Sequence, residues 1–118
     1  MNDINLMNKA ADNIRILAAS MVEKAKSGHP GGAMGGADFV NVLFSEFLVY
    51  DPKNPTWEGR DRYFQDPGHM SPMLYSVLAL TGKFTIDELK EFRQWGSVTP
   101  GHPEVNVMRG IENTSGPL

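Results

Sequence analysis

The stretch Ser27-Gly28-His29-Pro30-Gly31-Gly32-Ala33-Met34-Gly35-Gly36 limits what this chain can build, because it sets five glycines and a proline between two apolar, helix-patterned runs. Glycine turns readily through positive φ and lets other groups approach its backbone, and proline fixes φ and lacks an N–H, so one long helix does not run through. Further breakers follow at Asp51-Pro52-Lys53-Asn54-Pro55, Asp66-Pro67-Gly68 and Pro100-Gly101-His102-Pro103. The chain must therefore fold as separate helices joined by turns.

From Ile4 to Lys26 the apolar residues Ile4, Met7, Ala11, Ile14, Ala18, Met21 and Ala25 recur every three or four positions, which predicts one amphipathic helix capped by Asp3 and ended by Gly28 and Pro30. A second helix is expected from Ala37 to about Val49, so apolar through Phe39, Val40, Leu43, Phe44, Phe47 and Leu48 that it needs cover on several sides. A third is expected over Ser71–Leu80, with Pro72 in its first turn, and a fourth from Ile86 to about Trp95 behind the capping box Thr85-Ile86-Asp87-Glu88. At most two short strands are expected, Arg62–Gln65 and Val105–Met108, and the Gly- and Pro-rich tail from Gly96 to Leu118 shows no helix. Four helices with two orphan strands lack a sheet to cover.

All three histidines follow a glycine: Gly28-His29-Pro30, Gly68-His69 and Gly101-His102-Pro103. Loops of this kind present an imidazole rigidly at a cleft, and imidazole suits proton transfer near neutral pH and the binding of phosphate or metal. Solvated surface histidines account for one such loop more readily than for three. His69 also stands just before a helix start, where free N–H groups attract an anion. The glycines of 31–36 resemble a phosphate cradle, but a helix precedes them and Asp38 would repel an anion, so they read better as sites of close helix packing. A three-histidine metal site lacks short ligand spacing, since the histidines lie 40 and 33 positions apart.

The formal charge of −3, with no basic cluster, argues against nucleic-acid or anionic-membrane binding. With no cysteine, disulfides, cysteine-ligated zinc and a thiol nucleophile are excluded. No apolar run reaches the length of a membrane span and no leader is visible, so the cytoplasm is the default compartment.

Four pieces occur in order: Ser27-Gly28-His29-Pro30-Gly31, Pro67-Gly68-His69, Thr99-Pro100-Gly101-His102-Pro103-Glu104 and Thr114-Ser115-Gly116-Pro117-Leu118. Together they resemble the N-terminal part of transketolase, and the resemblance covers nearly the whole chain. It implies an α/β parent domain, a parallel sheet flanked by helices, of which residues 1–118 are the N-terminal part of the thiamin-diphosphate-binding, pyrophosphate-type domain, truncated at its C-terminal end. The implied reaction moves a two-carbon ketol unit from a ketose phosphate to an aldose phosphate, with thiamin diphosphate and Mg2+ as cofactors. By the same resemblance His29 and His102 contact the substrate and assist its proton transfers, His69 lies near the cofactor diphosphate, and Gly116, Pro117 and Leu118 hold thiamin by their backbone.

Two departures bear on these expectations. Around His69 the stretch Gln65-Asp66-Pro67-Gly68-His69-Met70-Ser71-Pro72 differs from the commoner family form, which carries a serine and a basic or amide residue before the glycine and a small residue after the histidine. The chain also stops at Leu118, where the family continues with Gly-Gln-Gly and the magnesium ligands, so no metal ligand is assigned here. The isolated chain is expected to be inactive. Its implied partners are sugar phosphates and the remainder of the chain or a second subunit, in a homodimer. The competing readings are a non-catalytic helical interaction module and a related enzyme of the dihydroxyacetone synthase type.

Overall fold

The computed structural model describes residues 2–116. Helix α1 (Ile4–Ala25) is the post on which α2 (Pro30–Gly35), α3 (Ala37–Val42), α4 (Ser71–Leu80) and α5 (Ile86–Lys90) pack. Asp3 Oδ1 accepts from the Leu6 N–H at 3.0 Å and caps α1, as the sequence predicts. The helix ends at Ala25, one residue before the expected Lys26, because Lys26 takes the left-handed conformation at φ 53° before Gly28 is reached. Ala11, Ile14, Ala18 and Met21 are buried along the stripe, and Ile4 at its start stays exposed.

The glycine run departs from a plain loop. Pro30 at the first helical position pre-sets φ, and the residues to Gly35 form a six-residue helix. Its glycines serve packing. A Cβ on Gly32 would stand 2.9 Å from Met70 Cγ, and one on Gly36 2.6 Å from Met73 Sδ, so two methionines sit directly on the backbone. The expected Ala37–Val49 helix is split: after α3 a π-helical turn spans Leu43–Phe47, and Leu48 turns extended while its N–H donates to the Leu43 carbonyl. Val40 and Phe44 enter the core, but Phe39 and Phe47 remain 64% and 69% exposed, so the cover this helix was expected to need is only half supplied by the described residues.

Helix α4 is buried over its first eight residues and forms the floor of the molecule's core with Ile14, Phe84, Leu89 and Phe92. Thr85 and Glu88 close the capping box in both directions, at 2.9 and 3.1 Å. Helix α5 then stops at Lys90, short of the expected Trp95, because the Arg93 N–H turns away to the Thr99 carbonyl. Among the described residues there is no strand. The expected Arg62–Gln65 strand is absent, and the Val105–Met108 region gives a single antiparallel bridge, Asn106 with Ile111, around a 3-10 turn Val107–Arg109. The described part of the chain is thus mostly helical with long Gly/Pro loops.

The tail is irregular but pinned. Arg60 and Glu112 form a two-point ion pair at 2.7 and 3.0 Å with little solvent access, and Arg109 does the same to Glu88 at 2.8 and 2.9 Å. The Arg109 guanidinium, followed by the Thr85 N–H, holds the Glu88 carboxyl down to about 2. A depressed folded value means stabilisation present at neutral pH and lost as pH falls from the ordinary carboxylate range toward 2. Urea midpoints measured across that range should fall less steeply for Glu88→Gln than for the native chain; parallel curves would refute the coupling.

Candidate functional site

Helix α4 is the platform of the site. Its first turn is preceded by a 3-10 turn, Gly68–Met70, that carries His69, and its buried face holds the second histidine loop. Ser71 and Tyr75, four positions apart and so on one helix face, donate to the carbonyls of Gly101 and Pro100, each at 2.6 Å. Burial, with a smaller push from the Glu104 charge, raises the Tyr75 phenol far above its ordinary range, so the hydroxyl keeps its proton for that bond.

His29 sits at the start of α2, after Gly28 at φ +128°, and its ring lies against His69 with centroids 4.7 Å apart and planes tilted by 58°. Met70, the residue that departs from the family form, occupies the space over Gly32 and leaves His69 beside His29. Next to His69, the buried Gly68 faces the Ser115–Gly116 backbone so closely that a Cβ would meet Ser115 C and O and Gly116 N at 2.7 Å. Gly116, at φ +108°, in turn carries the His102 ring: an added Cβ would stand 2.5 Å from His102 Cγ. Ser115 is fixed on both sides, its N–H donating to the Pro103 carbonyl at 3.1 Å and its Oγ to Asp66 Oδ1 at 3.3 Å.

His29 and His69 are therefore in direct ring contact, and His102 joins them by way of Ser115–Gly116 and Gly68. Pro117 and Leu118 lie outside the described residues. An open cleft of ≈ 520 Å³ adjoins His102, bounded by Ser27, Arg93, Gly101, Glu104 and Thr114. Among the described residues no group of three or more His, Cys, Asp or Glu side chains is arranged to hold a metal ion, so the three-histidine metal reading finds no cluster. No helix among them is long and apolar enough to cross a membrane.

Sequence reasoning passed over Arg93, Ser71 and Tyr75. The Ser71/Tyr75 spacing is that of one helix face and was readable; nothing in Phe92-Arg93-Gln94-Trp95 signals that Arg93 reaches back to Ser27, as it does through Nη1 at 2.9 Å. The tight meeting of loops also yields an expected result. Gly68→Ala should destabilise the chain by about 1–3 kcal/mol, because the methyl meets backbone that has nowhere to move. An unchanged urea midpoint would mean the two loops do not meet as described.

Comparisons with known proteins bear on the family. Residues 6–118 match the family described as "Transketolase, thiamine diphosphate binding domain". The transketolase of Buchnera aphidicola subsp. Baizongia pistaciae is 54% identical over 114 residues, which is 96% of this chain and 17% of that protein. A crystal structure of transketolase from Campylobacter jejuni superposes with a TM-score of 0.91 at 47% identity, covering 99% of this chain and 18% of its own. A Pichia stipitis transketolase in complex with sedoheptulose 7-phosphate gives 0.89 at 44% identity, covering 95% and 17%. The chain spans less than a fifth of the length of these relatives. Its sequence, its helices and its three glycine-borne imidazoles agree on one answer: the chain belongs to the transketolase family and falls in the thiamine diphosphate binding domain.

Proposed function

We propose that the chain supplies part of the active centre of a transketolase, which transfers a two-carbon ketol unit from a ketose phosphate to an aldose phosphate with thiamin diphosphate and Mg2+. The observation that carries this is the convergence of the His29, His69 and His102 loops around the Ser115–Gly116 backbone. The residues suit the cofactor through their imidazoles: a Cβ on Gly68 would strike the Ser115–Gly116 backbone and one on Gly116 the His102 ring, so these two glycines let the loops of His69 and His102 close on the same stretch of chain. Thiamin diphosphate, when bound, supplies the nucleophilic carbon and the electron sink that let a carbon–carbon bond beside a carbonyl break and re-form.

With the cofactor bound, His69 would stand near its diphosphate, held there by the 3-10 turn that leads into α4. His29 and His102 bind the hydroxyls of the sugar and carry protons to and from them, a task suited to imidazole at neutral pH. Gly116, with Pro117 and Leu118, would hold the thiamin ring through backbone groups. The metal ligands lie beyond Leu118 in this reading, and the working enzyme is a cytoplasmic homodimer; both points rest on the family pattern alone. The 118-residue chain by itself is then inactive, and calorimetric titration with thiamin diphosphate and magnesium should show no micromolar binding.

A coupled assay of the full-length polypeptide, with a ketose phosphate donor and an aldose phosphate acceptor, tests the function. Transfer that requires both cofactors is the expected outcome. Absence of transfer from the loaded protein would sink the proposal, and a preference for formaldehyde as acceptor would move it to the dihydroxyacetone synthase type.

A further inference from the structure

We propose that Arg93 is a positioning residue that couples the loop of His29 to the loop of His102. It holds two costly features at once. Its backbone sits in the left-handed region at φ 61°, a conformation that a non-glycine residue keeps only where its surroundings enforce it, here through the Arg93 N–H bond to the Thr99 carbonyl at 3.0 Å. Its Nε is buried with no hydrogen-bond partner among the described residues, which a residue chosen for stability alone would avoid.

Both costs fall at the junction of the two loops. A Cβ on Gly101 would stand 2.9 Å from Arg93 Nε and 3.2 Å from Cζ, and one on Gly28 would stand 3.6 Å from Nε and 3.1 Å from Cε1 of the neighbouring Phe92. Each of these glycines immediately precedes a histidine, His102 and His29 respectively. The guanidinium carbon lies 5.7 Å from the Phe92 ring centroid, Nη1 donates to Ser27 Oγ at 2.9 Å, and the side chain borders the cleft beside His102. One planar group thus sets the separation of two loops that are far apart in sequence. Lysine, with no planar fork, does not reproduce it.

The kinetic consequence rests on the ketol-transfer reading, whereas the mechanical one does not, and the test uses both in the full-length holoenzyme. Arg93→Gly removes the guanidinium at a position where glycine adopts φ 61° without strain, so the fold is retained. Diethyl pyrocarbonate modification, read by mass spectrometry, should then change at His29 and His102 together and return when millimolar guanidinium is added. In the same variant kcat should fall by roughly ten- to a hundredfold, as for a small misplacement of catalytic groups, with the donor KM little changed and with rescue by guanidinium. Ser27→Ala should alter the modification of His29 alone. If either histidine reacts at the native rate in Arg93→Gly, or guanidinium restores neither, the coupling is overturned, whatever the activity. A native enzyme without transfer activity would remove the functional reading and leave the modification rates to decide the coupling.

Discussion

In the full-length enzyme, kcat of His102→Ala and of His29→Ala is expected to fall by on the order of a hundredfold each, the lower end of what a positioned proton-transfer group contributes. The His102 ring rests on the Gly116 backbone, and His29 leans on His69, which is assigned to the cofactor. Neither ring belongs to the hydrophobic core, so the unfolding midpoints should stay close to native. Steady-state kinetics checks this, and near-normal turnover in either variant would reject the assigned role.

Tyr75→Ala should destabilise the fold by about 3–5 kcal/mol, the range for removing a large buried ring. Tyr75 is fully buried, with its ring 5.4 Å from that of Phe84 and 6.3 Å from that of Phe92, and its hydroxyl holds the Pro100 carbonyl. Tyr75→Phe separates the two contributions. It keeps the ring and strips the hydrogen bond, and about 1–3 kcal/mol should remain as the cost of an unmet carbonyl. Because the same bond anchors the His102 loop, the phenylalanine variant should also lose turnover, whereas a core substitution away from the loop, such as Val77→Ala, should lose stability only. Urea unfolding with parallel assays distinguishes these outcomes.

The sequence carried the helices better than their joints. α1 stood out by its apolar spacing and its Asp3 cap, α4 by Pro72 in its first turn and the start of α5 by its capping box, signals local to each helix. The joints follow from contacts that spacing does not encode: the short α2 exists because Met70 and Met73 need bare backbone under them, and α5 stops where Arg93 turns toward Thr99. The missing strands have the same origin, since Gln65 gives its N–H to the Asn113 side chain instead of a ladder. At the site the glycine-borne histidines were legible as a set, and His29 with His69 could be named without knowing they would touch. Arg93 was not legible, because its meaning lies in two loops distant from it in the chain.

The central place of α1 bears on how the chain is made. Helix α1 leaves the ribosome well before its principal partner, α4, which begins only at Ser71. At roughly 5–20 residues per second the intervening segment takes about 2–9 seconds to synthesise, during which the Ile14–Met21 face has only the short α2 and α3 to pack on and lacks α4. Nascent chains stalled before Ser71 should therefore be held by chaperones that bind apolar helices, and chains stalled well past it should be released.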